Sequence, residues 1–212
     1  MRTPRTFGWV NSDNETISVA LCLDFANTVG DHSSQAPREY LNEFADLVRW
    51  CEEAELIKPR LARFILEKAK REPEQAFAML AEAKKLREAI YRIFVNRLNG
   101  KAPAPADLQI LNLSLKSMPL LFEVRIEDHR PVCHHESATT GLAPLIAPVA
   151  WSAADLLTSE KVLRVKTCGD ETCGWLFLDT TKNHKRRWCD MSGCGCRAKA
   201  KTYYRRKKAA GD

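Results

Sequence analysis

At 212 residues, with 45% hydrophobic and 28% charged residues, the chain has room for one ordinary globular domain and a small second one, and its composition excludes a disordered or fibrous class. No apolar run reaches membrane-spanning length, and the opening residues MRTPRTFGWVNSDNET lack the apolar core of a secretory signal, so a cytoplasmic protein with no membrane partner is expected. Charge is unevenly placed: residues 161–212 carry 14 Lys and Arg against 5 Asp and Glu, leaving 19 against 22 for residues 1–160, the pattern of a polyanion-binding module joined to a larger domain.

In ISVALCLDFANTV, residues 17–29, Val19, Leu21, Leu23 and Phe25 alternate with smaller or polar positions, which predicts a buried strand running into a turn at Asn27-Thr28. Asp24, Asn27 and Thr28 are polar groups beside a strongly apolar run. If buried they need partners: they staple the following loop, the simpler reading, or they receive a small effector. Gly30 to Pro37 reads as a loop ending in a Pro suited to opening a helix. From Arg38 to Leu56, Leu41, Phe44, Leu47, Val48 and Cys51 fall at helical spacing on one face. Pro59 restarts the pattern with Leu61, Phe64 and Ile65 as its buried residues. Pro73 starts a third helix, with Phe77, Leu80, Ala83, Leu86, Ile90 and Phe94 on its apolar face and a stop at Asn99-Gly100.

After KAPAPAD a short helix is predicted through Leu108, Leu111 and Leu115, with Asp107 as its cap. LFEVRIEDHRPVCHHE then alternates with period two, a hairpin turning at Asp128 to Pro131. His134 and His135 are adjacent on its second strand and would face opposite ways, a poor joint metal pair. A last helix over Leu142 to Leu157 buries Leu145, Ile146, Val149, Ala153, Leu156 and Leu157, with Pro148 bending it. A short strand, KVLRVK at 161–166, leads straight into Cys168, so the basic module should be docked on the larger domain.

Five of the eight cysteines lie between Cys168 and Cys196, and four of them form two pairs of equal spacing, Cys168-x4-Cys173 and Cys189-x4-Cys194. In a reducing compartment such pairs suit metal better than disulfides, and four thiolates make a closed tetrahedral site for one structural Zn2+. Strand, knuckle, the WLFLD strand, a basic turn, second knuckle and basic helix follow in the order of a treble-clef-like finger, whose small core needs a metal staple. From Lys182 to Lys208 there are 11 Lys and Arg and one acidic residue, Asp190. Lys185, Arg186, Arg187, Arg197, Lys199, Lys201, Arg205 and Arg206 are the candidate contacts to double-stranded DNA, through phosphates and guanine edges. Trp188, Tyr203 and Tyr204 either stack on bases or pack beneath the basic residues, packing being the simpler role.

WLFLDTTKNHKRRWCDMSGCGCRAKAKTYYRR closely resembles the CGNR zinc finger, and LCLDFANTV is similar to the opening of the ABATE domain that precedes that finger. The resemblance implies an α+β protein with a mainly helical ABATE-like domain over residues 1–160, bearing a small antiparallel hairpin, and a finger over 161–212. Its family members are regarded as stress-responsive bacterial transcription regulators. That implies a zinc-stabilised, nucleoid-associated DNA-binding regulator whose first domain dimerises or receives an effector. The family positions carry the ligand role to Cys168, Cys173, Cys189 and Cys194. The signature here reads Cys194-Gly195-Cys196-Arg197, with Cys196 where the family has Asn, so Cys196 is a spare thiol able to replace Cys194 as ligand. Two other binding readings are an RNA- or ribosome-associated module and a zinc-thiol redox sensor. An enzyme is not expected, because four cysteines close the zinc and no nucleophile with its base or phosphate-binding glycine loop is evident.

Overall fold

The computed structural model describes residues 9–10, 16–17, 20–32, 34–116, 120–127, 130–137 and 143–209. Two short antiparallel pairs frame the start of the chain: β1 (Trp9–Val10) with β2 (Thr16–Ile17), and β3 (Val29–Gly30) with β4 (Arg38–Glu39). Between them lies α1 (Leu21–Ala26), followed later by α2 (Phe44–Glu53), α3 (Pro59–Arg71), α4 (Pro73–Leu98) and α5 (Pro105–Lys116). A hairpin of β5 (Leu120–Glu127) and β6 (Arg130–Ser137) comes next, in the register Phe122↔His135 and Glu123↔His134. A 3-10 turn at Ala143–Ile146 runs into α6 (Ala147–Thr158), and a second at Glu160–Arg164 into β7 (Val165–Thr167). Strand β8 (Leu176–Leu178) and the terminal helix α7 (Cys196–Ala209) complete an α+β chain.

The strand predicted over residues 17–29 is instead the helix α1. Leu21, Cys22, Leu23, Phe25 and Ala26 are all buried, so this short helix is wrapped on every side by α4, α6 and β8. A segment buried all round carries no helical period, and the chance alternation of large residues mimicked a strand. Asp24 is the exception on it, only half-buried, and desolvation pushes its carboxyl up to about 7.

Helix α2 begins at Phe44 rather than Arg38, because Arg38 and Glu39 pair with Gly30 and Val29 and the Glu39 carboxylate is held by Arg87 at 2.7 and 2.9 Å. Its start is fixed by Asp46, which accepts from the backbone N–H groups of Asn42 and Glu43. Helix α4 ends as the sequence predicts: Gly100 takes φ +69° and the Lys101 N–H reaches back to the Asn96 carbonyl.

Four further expectations are corrected. Asp107 does not cap α5; it is buried within its first turn and takes a forked hydrogen bond from Arg92 of α4, the closest at 2.6 Å. Pro148 sits in the first turn of α6, where a missing N–H costs nothing, and so starts the helix instead of bending it. Phe64 and Phe77 are exposed, not buried, at 64% and 75%. Phe77 edges an open groove of roughly 880 Å3 between α2, α3 and α4, whose floor includes Phe44 and Leu80. The 161–166 strand shrinks to β7, the preceding residues forming the second 3-10 turn. The turn expected at Asp128 to Pro131 falls partly outside the described residues, as does the start of the last predicted helix at Leu142.

One apolar cluster runs through the molecule. It joins Leu23 and Phe25 of α1, Leu47 and Val48 of α2, Leu86, Ile90 and Phe94 of α4, and Val149 and Leu156 of α6 to Val162, Val165, Leu176 and Leu178 of the basic module. Full burial of each such side chain is worth about 1.5–3 kcal/mol. The module is docked on the larger domain through this cluster.

Asp24 predicts an unusual pH response. Its folded pKa lies above the ordinary value of 3.8, at about 7, so its contribution favours the fold below about 4 and is lost as pH rises through 7. Asp24→Asn is expected to remove that loss, raising the thermal midpoint at pH 8 while leaving it nearly unchanged at pH 4. Thermal melts of both proteins across this range check it.

Candidate metal centre and basic surface

Antiparallel pairing of β7 with β8, in the register Val165↔Leu178 and Thr167↔Leu176, turns the chain back on itself and brings Cys168 and Cys173 together. The knuckle is closed by the Cys168 N–H on the Trp175 carbonyl at 2.7 Å and by the Cys173 N–H on the Asp170 carbonyl at 3.1 Å, with Gly174 supplying φ +64° just beyond. The second knuckle is organised by Asp190, whose carboxylate accepts from the Gly193 N–H and the Ser192 hydroxyl, both at 2.6 Å. A wide turn, Met191–Gly195, then passes into α7. A side chain at Gly195 would meet the Met191 sulfur at 2.8 Å, so the exposed Met191 side chain would have to swing aside.

The four sulfurs of Cys168, Cys173, Cys189 and Cys194 all lie within 4.8 Å of one another. Cys173 to Cys189 is 3.7 Å and Cys189 to Cys194 is 3.6 Å. Ligands about 2.3 Å from a tetrahedral zinc stand about 3.8 Å apart, so the spacing fits that ion. Protonation agrees: the Cys173 thiol is drawn down to about 6, first by its hydrogen bond with Cys189, while burial pushes Cys194 up to about 12 and the bond to Cys173 raises Cys189. The bare cluster thus concentrates negative charge on one sulfur, and a dication relieves the cost of ionising the rest. The surroundings suit thiolates, since Arg197 Nη2 donates to Cys194 Sγ at 2.9 Å and the Cys189 N–H approaches Cys168 Sγ at 3.5 Å. This donor set is consistent with one structural zinc. Cys196 is exposed and lies outside the cluster.

The predicted DNA contacts divide into two groups. Arg186 is tied down: its guanidinium donates to the carbonyls of Trp188 and Cys189 and lies 4.8 Å over the Phe177 ring. Arg197 spans Asp170, at 2.9 Å, and the Cys194 sulfur, although its side chain is still half exposed. Lys185, Arg187, Lys199, Lys201, Arg205 and Arg206 are exposed, with Lys201 only loosely near Glu171 at 3.8 Å. Trp188 packs on the cysteine cluster as expected, beneath Arg187. Tyr203 and Tyr204 do not pack beneath the helix; they stand exposed, edge to face with each other.

Asp179, which the sequence reading passed over, is the anchor of the basic turn. It is wholly buried and its carboxylate accepts from Lys166 Nζ at 2.6 Å, from the Thr181 N–H and hydroxyl at 3.0 and 2.6 Å, and from the Arg186 N–H at 2.9 Å. Burial alone would raise its pKa, but these donors outweigh it and hold the carboxyl far below the usual range. Lys166 also donates to the His184 and Arg186 carbonyls, so one ion pair shapes residues 179–187. An acid closing an apolar strand and opening a run of bases was the available signal.

The side chains of Asn27 and Thr28 are occupied within the fold, but by partners other than the following loop they were expected to staple. Asn27 pairs with the backbone of Leu176 in both directions, donating at 2.8 Å and accepting at 3.0 Å. Thr28 donates to the Phe25 carbonyl at 2.8 Å and accepts from buried Arg87 at 3.4 Å. Among the described residues the Asp24 carboxyl has no such partner.

A four-cysteine zinc finger seated on a mainly helical domain is the class that this fold and site define. The family model described as a "putative stress-induced transcription regulator", ABATE, matches residues 19–160, and that of the CGNR zinc finger matches residues 164–207. The chain belongs to the ABATE family and carries a CGNR zinc finger at its C-terminal end. A comparison with curated proteins finds no match.

The placement of Cys196 sets a direct check on the ligand set. Cys194→Ser is expected to weaken zinc binding by at least roughly tenfold, whereas Cys196→Ser leaves it unchanged, as read by competition with a chromogenic chelator.

Proposed function

We propose that the protein is a zinc-dependent DNA-binding transcription regulator, in which Cys168, Cys173, Cys189 and Cys194 hold one zinc ion and the exposed residues Lys185, Arg187, Lys199, Lys201, Arg205 and Arg206 meet the phosphates of duplex DNA. The observation that carries this reading is Arg197, which ties the sulfur cluster to the helix bearing most of those charges. Metal and basic surface are thereby parts of one unit. The zinc is structural: four thiolates fill its coordination and leave no position for a substrate water, so the function is binding rather than catalysis.

Such a regulator works in the cytoplasm, at the nucleoid; among the described residues no helix is long and apolar enough to cross a membrane. The helical domain supplies the response to stress that the family description names, by receiving a small effector or pairing with a second copy. With Asn27 engaged in docking the finger and Thr28 bonded to Phe25 and Arg87, Asp24 is what is left of the effector spot.

Fluorescence anisotropy with duplex DNA, at several salt concentrations and with and without a zinc chelator, tests the reading. The expected result is zinc-dependent binding that weakens steeply as salt rises. Binding indifferent to both salt and zinc overturns it, and a preference for structured RNA over duplex DNA at equal salt moves the protein to the RNA-binding class.

A further inference from the structure

The two halves of the metal site are held in different ways. The first pair, Cys168 and Cys173, lies in the knuckle between β7 and β8 and belongs to the body of the protein. Asn27 grips Leu176 from both sides, Trp175 Nε1 donates to the Val29 carbonyl at 2.7 Å, the His32 N–H donates to the Cys173 carbonyl at 3.1 Å, and the Tyr91 hydroxyl donates to the Gly174 carbonyl at 3.0 Å. His32 is stacked on Tyr91 with ring centroids 3.8 Å apart, which fixes both donors. Beneath them Val165, Leu176 and Leu178 are in the main apolar cluster. Residues 27–32 and 91 thus read the backbone of residues 173–176 almost continuously.

Among the described residues, the second pair, Cys189 and Cys194, has no such support. Every hydrogen bond and ion pair described for residues 180–209 ends at residue 166 or later. Cys168, Cys173 and Cys194 form a small cluster of their own with Trp175, Trp188 and Cys189, separate from the main one. Helix α7 is exposed from Lys199 to Lys208 and packs mainly on the turn before it.

We propose that the metal is a clasp between a preformed half-site and a mobile one. Asn27, His32 and Tyr91 are positioning residues that keep Cys168 and Cys173 in place whether or not zinc is bound. Zinc recruits Cys189 and Cys194 to them and, through Arg197, draws the basic helix into position. Losing the ion then releases residues 188–209 and leaves the rest of the chain folded, the turn over 180–187 included, because Asp179, Lys166 and the Gly169 N–H hold it without the metal. The LCLDFANTV segment, in this account, is the seat of the finger. The proposal rests on the zinc ligation set out above but not on DNA being the partner.

Segment-resolved hydrogen–deuterium exchange on the full chain, with zinc bound, after stripping, and after zinc is restored, tests it. On stripping, amides in residues 188–208 are expected to exchange roughly tenfold faster or more, while those in 21–30 and 162–187 keep their protection, and added zinc reverses the change. Cys189→Ser should reproduce the stripped pattern without unfolding the body. Protection lost across both segments, protection retained in 188–208, or a Cys189→Ser chain that does not fold overturns the clasp. Absence of zinc from the purified chain overturns the ligation reading itself, and metal analysis shows that before any exchange is measured.

Discussion

Asp179→Ala is expected to lower stability by about 3 kcal/mol and to loosen the basic turn over residues 180–187. The carboxylate is fully buried and answers four donors, so alanine leaves the Lys166 ammonium half-buried without its counter-charge and the N–H groups of Thr181 and Arg186 without an acceptor. Asp179→Asn keeps the shape and one acceptor oxygen but removes the charge, and should cost less. The native residue also has a definite pH signature. Its folded pKa is depressed, so its stabilisation is fully present above the ordinary carboxylate value and is lost only as pH falls below that value. Denaturant titrations of the three proteins at pH 7 give the ranking native, Asn, Ala; equal midpoints would refute the anchoring role.

Removing charge from the helix should have the largest effect on nucleic-acid affinity. The four-fold change of Lys199, Lys201, Arg205 and Arg206 to alanine is expected to weaken duplex DNA binding by at least roughly 100-fold at moderate salt and to flatten the log–log salt dependence by about 3–4. These side chains are exposed and α7 tolerates alanine well, so zinc content and thermal midpoint should hold. Arg197→Ala and Arg186→Ala should behave differently. Arg197 touches Asp170 and the Cys194 sulfur, and Arg186 the Trp188 and Cys189 carbonyls, so each loses zinc affinity along with DNA affinity. Anisotropy against salt, paired with zinc analysis of the same samples, separates the classes. All three variants losing metal and DNA in proportion would remove the distinction.

Local chemistry was what the sequence displayed best. Two Cys-x4-Cys pairs at matched spacing place four soft ligands wherever the chain folds back once, and the sulfurs do converge. The apolar faces of α2 and α4 were legible for the same reason, a short repeat with a single physical cause. What stayed hidden depends on burial or on distant partners. Asn27 meets Leu176 across 149 residues, and nothing near it in sequence marks the partner. Asp179 looked like an ordinary strand end until its burial made each donor obligatory. Segment 21–26 misled because total burial erases the period on which a helix is recognised, and Phe64 and Phe77 misled because a helical stripe does not reveal where its covering layer stops.

The seam between the two family matches, residues 160 to 164, is a boundary of inheritance and not of folding. A cut there would pass through the Glu160–Arg164 turn, strip Val162 and Val165 from the helices they cover, and bare the underside of α1 where Leu176 and Leu178 had lain. Each fragment would carry an open apolar face, and the finger would lose the Asn27, His32 and Tyr91 contacts along its inner edge. The finger is therefore portable between proteins only together with a matching seat, which gives the short LCLDFANTV stretch and the WLFLD strand a reason to change in step.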